Sequence, residues 1–289
     1  MTWMETQGLN KLEPTSRMIA IAACYAMRVF EGLIMQPLNT KSLRLEMDGN
    51  SLYLDGKKLA FSYRKLSEMR GVLRDSNAVN ENNKDDQVYF MFREVCVGMD
   101  REVFEKHGVR YDVTIIPDYN LGSEFNKTLG HYHPDAEAGL SYTEVYEVID
   151  GDALILLQRQ LDYGNVDVKL AHAKAGDKVL IMPNYGHITI NVGRRPLVMA
   201  NLVSSRFNPN YKLIEDMHGG AIYALSEGSY VINRNYKRLS IMDAYPQPEL
   251  EQISGTASLY DTFINAPEDF DFLNKPSILG QLVGYPSDK

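Results

Sequence analysis

Residues 130–151 read GHYHPDAEAGLSYTEVYEVIDG and concentrate side chains able to bind a metal. His131 and His133 stand one residue apart, and Glu137, Glu144 and Glu147 follow them. Alternate residues of a strand point to one side, so the two imidazoles share a face. On the next strand Glu144, Tyr146 and Val148 share a face, and Glu147 points the other way. Further on, GHITIN places His187, Thr189 and Asn191 on one face of a third strand. A closed barrel that turns these faces inward would assemble three imidazoles and a carboxylate. Such a mixed nitrogen and oxygen set suits a divalent first-row metal with open coordination positions.

The elements around these residues are those of a barrel. From residue 109 the chain offers short strand candidates in close succession: VRYDVTIIP, TEVYEVI, DALILLQRQ, VDVKLAHAKAG, DKVLIMP, HITINVG and PLVMANLVS. Turn residues separate them, including Asp150-Gly151, Ala175-Gly176-Asp177 and Pro183-Asn184-Tyr185-Gly186. That spacing predicts a β-sandwich or barrel. No amphipathic helix interrupts 109–205, which excludes a doubly wound α/β sheet. Upstream, 41–65 alternate and carry the turn signals Asp48-Gly49-Asn50 and Asp55-Gly56, predicting a small hairpin or meander. A helix is expected over 15–35 and another near 256–265, followed by an extended tail. The expected organisation is an N-terminal helical extension at 1–40, a barrel domain at 41–240 and a C-terminal tail at 241–289 that packs on the barrel or on a partner subunit.

Composition narrows the function classes. The net charge is -8 and the pI about 5.3, without a basic stripe, which argues against nucleic acid or an anionic membrane as partner. The two cysteines, Cys24 and Cys96, lack metal-ligand spacing and fit a reducing, cytoplasmic setting. The IAAC ending at Cys24 has the look of a lipoprotein cleavage site. The preceding apolar run is too short for one, and Glu5 and Glu13 lie upstream of it.

The stretches GHYH and TEVYEVIDG resemble the first cupin motif, and GDKVLIMPNYGHITIN resembles the second. The closer resemblance is to the cupin-type glucose-6-phosphate isomerases. It is carried by YDVTIIPDYNLGSEFNKTLGHYHP, YTEVYEVIDGDALILLQ, AKAGDKVLIMPNYGHITINVGRRPLVMANLVS and GGAIYAL, and covers roughly residues 110–225. It implies an all-β cupin core (a double-stranded β-helix, or jelly-roll barrel), a homodimer, and one divalent metal per subunit: iron, manganese, nickel or zinc. It also implies interconversion of glucose 6-phosphate and fructose 6-phosphate, a step of glycolysis and gluconeogenesis.

Carried over residue by residue, the resemblance assigns the metal to His131, His133, Glu144 and His187, with Glu144 as the candidate base. General cupin spacing nominates Glu137 instead, but Pro134 and Gly139 around it argue for a loop, and Glu144 stands seven residues before Gly151 as the motif requires. For the sugar phosphate the resemblance nominates Thr114, Thr128 and Gly130, with Lys127 and Tyr146 as neighbours and Tyr211 as an aromatic contact. Strict alternation puts Lys127, not Thr128, on the histidine face, unless a bulge precedes Gly130. His172 and His218 read as surface or structural residues. A dioxygenase, another sugar-phosphate isomerase or a non-catalytic sugar-binding cupin would carry similar motifs.

Overall fold

The computed structural model describes residues 29–30, 33–34, 36–38, 42–162, 165–244 and 250–279. The chain divides into two compact units, Met1–Gln36 and Pro37–Lys289. In the first, Val29–Phe30 pairs with Leu33–Ile34. This corrects the helix expected over 15–35 at its C-terminal end, where the β-prone Val29, Phe30 and Ile34 pair as strands; the other residues of that stretch lie outside the described residues.

In the second unit β1 (Leu45–Asp48) and β2 (Ser51–Leu54) form the expected hairpin, with Gly49 at positive φ in its turn. Ten further strands make two sheets: β3 (Ser62–Lys65), β4 (Gln87–Phe92), β5 (Val109–Ile116), β6 (Glu144–Asp150), β7 (Asp152–Asp162), β8 (Asn165–Lys174), β9 (Lys178–Ile181), β10 (Tyr185–Asn191), β11 (Leu197–Ser204) and β12 (Arg238–Ala244). One sheet has the order β9-β6-β11-β5-β4-β3 and the other β10-β7-β8-β12. All their pairings are antiparallel except β8 with β12. This is the all-β barrel expected from the strand spacing, in the cupin form that the resemblance implied. The aromatic-rich stretch QVYFMF forms β4.

The inner strands of the six-stranded sheet are buried on both faces, which is why β4 and β11 read as nearly continuous apolar runs, while the edge strand β3 is partly exposed. Along β5 the residues Tyr111, Val113 and Ile115 face an outer layer with Tyr260, Phe263, Phe270 and Phe272. Phe263 belongs to a helix, α1 (Leu259–Asn265), capped by the Ser258 side chain, and Phe270 and Phe272 to a 3-10 turn over Pro267–Leu273. Burying each of these phenylalanines contributes roughly 1.5–3 kcal/mol. The other side of the sheet meets the four-stranded sheet through Val148, Met199, Leu154, Leu156 and Ile190, closing the barrel. Glu147 points to the outer layer, where it accepts a hydrogen bond from Leu259 N at 2.8 Å and so holds the start of α1.

The segment around Glu137 is a small hairpin, not a loop: Asp135–Glu137 pairs with Leu140–Ser141 across Ala138 and Gly139, both at positive φ. Glu137 accepts hydrogen bonds from Ser277 N and Oγ, far from the histidines in role as well as direction.

Candidate metal centre

Three separate segments bring the ligand set together. His131 and His133 lie on the stretch after Gly130, Glu144 opens β6, and His187 lies in β10. Their ligand atoms all lie within 4.8 Å of one another. The ring centroids are 5.2 Å apart for His131 and His133, 4.4 Å for His131 and His187, and 5.1 Å for His133 and His187. Glu144 Oε2 stands 3.2 Å from His133 Nε2 and 3.3 Å from His187 Nε2.

These residues fit a metal on two observations. Glu144 Oε2, His133 Nε2 and His187 Nε2 are buried and make no hydrogen bond, an arrangement that costs about 1–3 kcal/mol per group unless a cation completes it. Burial also pushes the imidazolium pKa of His131 and His187 well below the ordinary value, assisted by the neighbouring histidines, so both rings are neutral and carry a lone pair. His133 Nδ1 lies 2.9 Å from the Tyr142 carbonyl. A proton on Nδ1 donated to that carbonyl leaves Nε2 as the ligating nitrogen.

The bulge considered before Gly130 is present. Lys127 bridges Ile190 and His131 bridges His187, so four steps on one segment oppose three on the other. Gly130 has φ +86°, and a Cβ there would lie 2.3 Å from Ile188 Cγ1, so the extra residue fits only because Gly130 has no side chain. The bulge turns Thr128 to the cavity, where its Oγ1 accepts from Thr189 N at 3.0 Å. Lys127 is turned away from it. Its Nζ is ion-paired to the buried Glu124, donates to the Val72 carbonyl at 3.2 Å and sits 5.2 Å from the Tyr223 ring centre. The fold therefore does not bring Lys127 into the cavity, and its nomination as a phosphate contact is corrected.

Thr114, Thr128, Gly130, Tyr146 and Tyr211 do line the cavity with His131, His133 and Glu144. Tyr146 meets the His187 ring edge-on at 5.4 Å, and burial keeps its phenol protonated far above the ordinary range. Tyr211 lies 5.6 Å from the His131 ring. Asn191 serves the turn after β10: its Nδ2 donates to the Ile116 and Arg195 carbonyls. His172 is exposed and meets the Tyr230 hydroxyl, and His218 is exposed at positive φ.

Sequence reasoning missed Tyr89, Arg93, Arg110, Asn201 and Phe207, which also line the cavity. Phe207 stacks on Tyr142 at 4.7 Å and packs on His133 at 4.5 Å, covering one side of the site. The signal for Arg110 was available, because Arg110, Asp112 and Thr114 alternate on one face of β5. Phe207 and Asn201 come from stretches whose direction depends on tertiary packing.

The two-sheet barrel with a three-histidine, one-glutamate cluster inside defines a cupin with a metal-type ligand set. An oxalate oxidase structure is similar to it at 18% identity and a TM-score of 0.33, over 46% of this chain and 57% of that one. The profile of the glucose-6-phosphate isomerase (GPI) family matches residues 63–240, well over half of the chain, and the chain belongs to that family. Among its relatives are the glucose-6-phosphate isomerases of Thermococcus onnurineus (strain NA1), 28% identical over 58% of this chain and 82% of the relative, and of Thermococcus kodakarensis (strain ATCC BAA-918 / JCM 12380 / KOD1), 25% identical over 68% and 95%.

Proposed function

We propose that this chain is a metal-dependent isomerase that interconverts glucose 6-phosphate and fructose 6-phosphate. The observation that carries the reading is the convergence of His131, His133, Glu144 and His187 at the wall of a cavity that the first three line with Thr114, Thr128 and Gly130. The four ligand residues would hold one divalent ion (iron, manganese, nickel or zinc), which supplies Lewis-acid polarisation of the substrate carbonyl when bound.

The phosphate would lie against Thr114, the Thr128–Gly130 bulge and the buried, neutral Tyr146 hydroxyl. Isomerisation moves one hydrogen between C2 and C1 and one proton between O2 and O1. Glu144 is the carboxylate placed to carry a proton between these positions. The rival route passes the hydrogen directly between the carbons and asks of the protein only alignment. Retention of a C2 deuterium label during turnover in ordinary water distinguishes them: washout supports Glu144 as base, and full retention removes that role.

No helix among the described residues is long and apolar enough to cross a membrane. A cytoplasmic homodimer acting in glycolysis and gluconeogenesis is part of the proposal. Sedimentation of the purified chain tests the dimer. A coupled assay from fructose 6-phosphate, with and without chelator, tests the activity.

A further inference from the structure

The segment that carries His131 and His133 is braced from behind. Tyr132, between the two ligands, is buried but turned away from the cavity they line: its ring packs on Gly186 and its hydroxyl meets Gln158. A Cβ on Gly186 would stand 2.5 Å from Tyr132 Cε2, so the ring fills the space that a side chain beside His187 would need. Tyr132 N donates to the Asn210 carbonyl at 2.9 Å, and Asn210 N donates back at 2.8 Å. One tyrosine therefore touches both segments that supply imidazoles, and its backbone fixes the residue before Tyr211 as well.

Gln158 lies in β7 opposite Gly186 and is fully buried. Ala221 N donates to its Oε1 at 2.8 Å, which orients the amide and leaves Nε2 facing two phenols. Nε2 donates to Tyr132 Oη at 3.0 Å and to Tyr236 Oη at 2.9 Å. Tyr236 Oη in turn donates to the Gly219 carbonyl at 3.0 Å. Both amide hydrogens and the amide oxygen are thus committed to fixed groups, and a fully satisfied buried network of this kind rigidifies what it joins. Packing on Gly186 holds the plane of the Tyr132 ring, and Gln158 holds its far end.

We infer that Tyr132, aimed by Gln158, is a positioning residue of the metal centre. It sets the His131–His133 segment against His187 and so governs how tightly the four ligands hold an ion, from the side remote from the cavity. Removing its hydroxyl loosens the ligand set. Removing the Tyr236 hydroxyl costs Gln158 the same single hydrogen bond but leaves the ligand set intact, because Tyr236 joins Gln158 only to the Gly219 carbonyl. The inference rests on the metal reading of His131, His133, Glu144 and His187.

The test is the cobalt(II) affinity of metal-stripped protein, read by competition with a chromophoric chelator, with the visible absorption of bound cobalt as the measure of ligand geometry. The variants are Y132F, Y236F, Q158M and the double variant Y132F/Q158M, with the thermal melt of each metal-free form measured alongside. Y132F should bind cobalt about tenfold more weakly than wild type and shift its visible bands, the lower end of what groups behind metal ligands contribute. Y236F should stay within about threefold of wild type, although its melt falls at least as far because it also loses the Gly219 bond. Q158M should weaken cobalt as Y132F does, and the double variant should be no more than about threefold weaker than Y132F alone, since both act along one path. Should Q158M fail to melt cooperatively, Y132F against Y236F decides. Cobalt affinity unchanged in Y132F, or lowered equally in Y132F and Y236F, overturns the inference, and so does a double variant whose losses multiply. Wild type that binds no cobalt overturns the metal reading itself, and this inference with it.

Discussion

His131 and His187 face each other as a bonded backbone pair: His131 N donates to the His187 carbonyl at 3.2 Å, and His187 N donates back at 3.0 Å. Two ligands distant in sequence are therefore locked at one register, and neither ring is free to leave without breaking a bridge between segments. Replacing His131 or His187 by Ala keeps that backbone pair. Each variant is expected to stay folded while bound metal, read by elemental analysis, and isomerase activity fall together by at least about tenfold. A variant that keeps full activity without metal would remove the assignment.

Gly130 makes the bulge possible, and its substitution tests that. Gly130→Ala is expected to lose about 1–3 kcal/mol from the positive φ and about as much again from the clash with Ile188. Gly176→Ala is the control, with φ +94° and nothing within 4 Å of the added Cβ. It carries the backbone term alone. Denaturant melts of the two should differ, with Gly130→Ala the less stable and also the weaker in phosphate-ester binding. Equal losses would mean that packing at Ile188 contributes nothing.

Lys127 is expected to matter for folding and not for substrate. Lys127→Met leaves Glu124 buried without its cation and should cost about 3–5 kcal/mol. The KM for fructose 6-phosphate of the protein that remains folded should stay within about twofold. A large KM rise with unchanged stability would return Lys127 to the phosphate site.

Glu147 carries a pH signature. Burial raises its carboxyl pKa above the ordinary value. The folded state then binds the proton more tightly than the unfolded chain. The stabilisation this gives is fully present below the unfolded pKa and is lost as pH rises through the folded one. Glu147→Gln keeps an acceptor for Leu259 N and removes this dependence. Its melting temperature should gain on wild type as pH rises from about 4.5 toward neutrality. A constant difference across that range would contradict it.

Much of the site was legible because strand alternation is a strict rule. His131, His133, Glu144 and His187 come from faces that could be counted, and Glu147 was excluded by the same count. Lys127 and Thr128 were not separable, since a bulge shifts facing by one and Gly130 only permits it. Arg93 follows the end of β4 at Phe92, where strand alternation no longer fixes a face. Phe207 and Asn201 depend on how segments distant in sequence pack together. The double burial of β11 gives a nearly continuous apolar run, so the outer layer formed by α1 and the turn after it leaves no alternation to read there.

The central claim is that the three histidines and Glu144 hold a metal required for isomerisation. Its most direct test is the coupled assay from fructose 6-phosphate on chelator-treated, dialysed protein, with single divalent ions added back. The account predicts loss of most activity on chelation and its return with at least one of iron, manganese, nickel or zinc, in proportion to metal bound. Full activity in protein shown to be metal-free would contradict it.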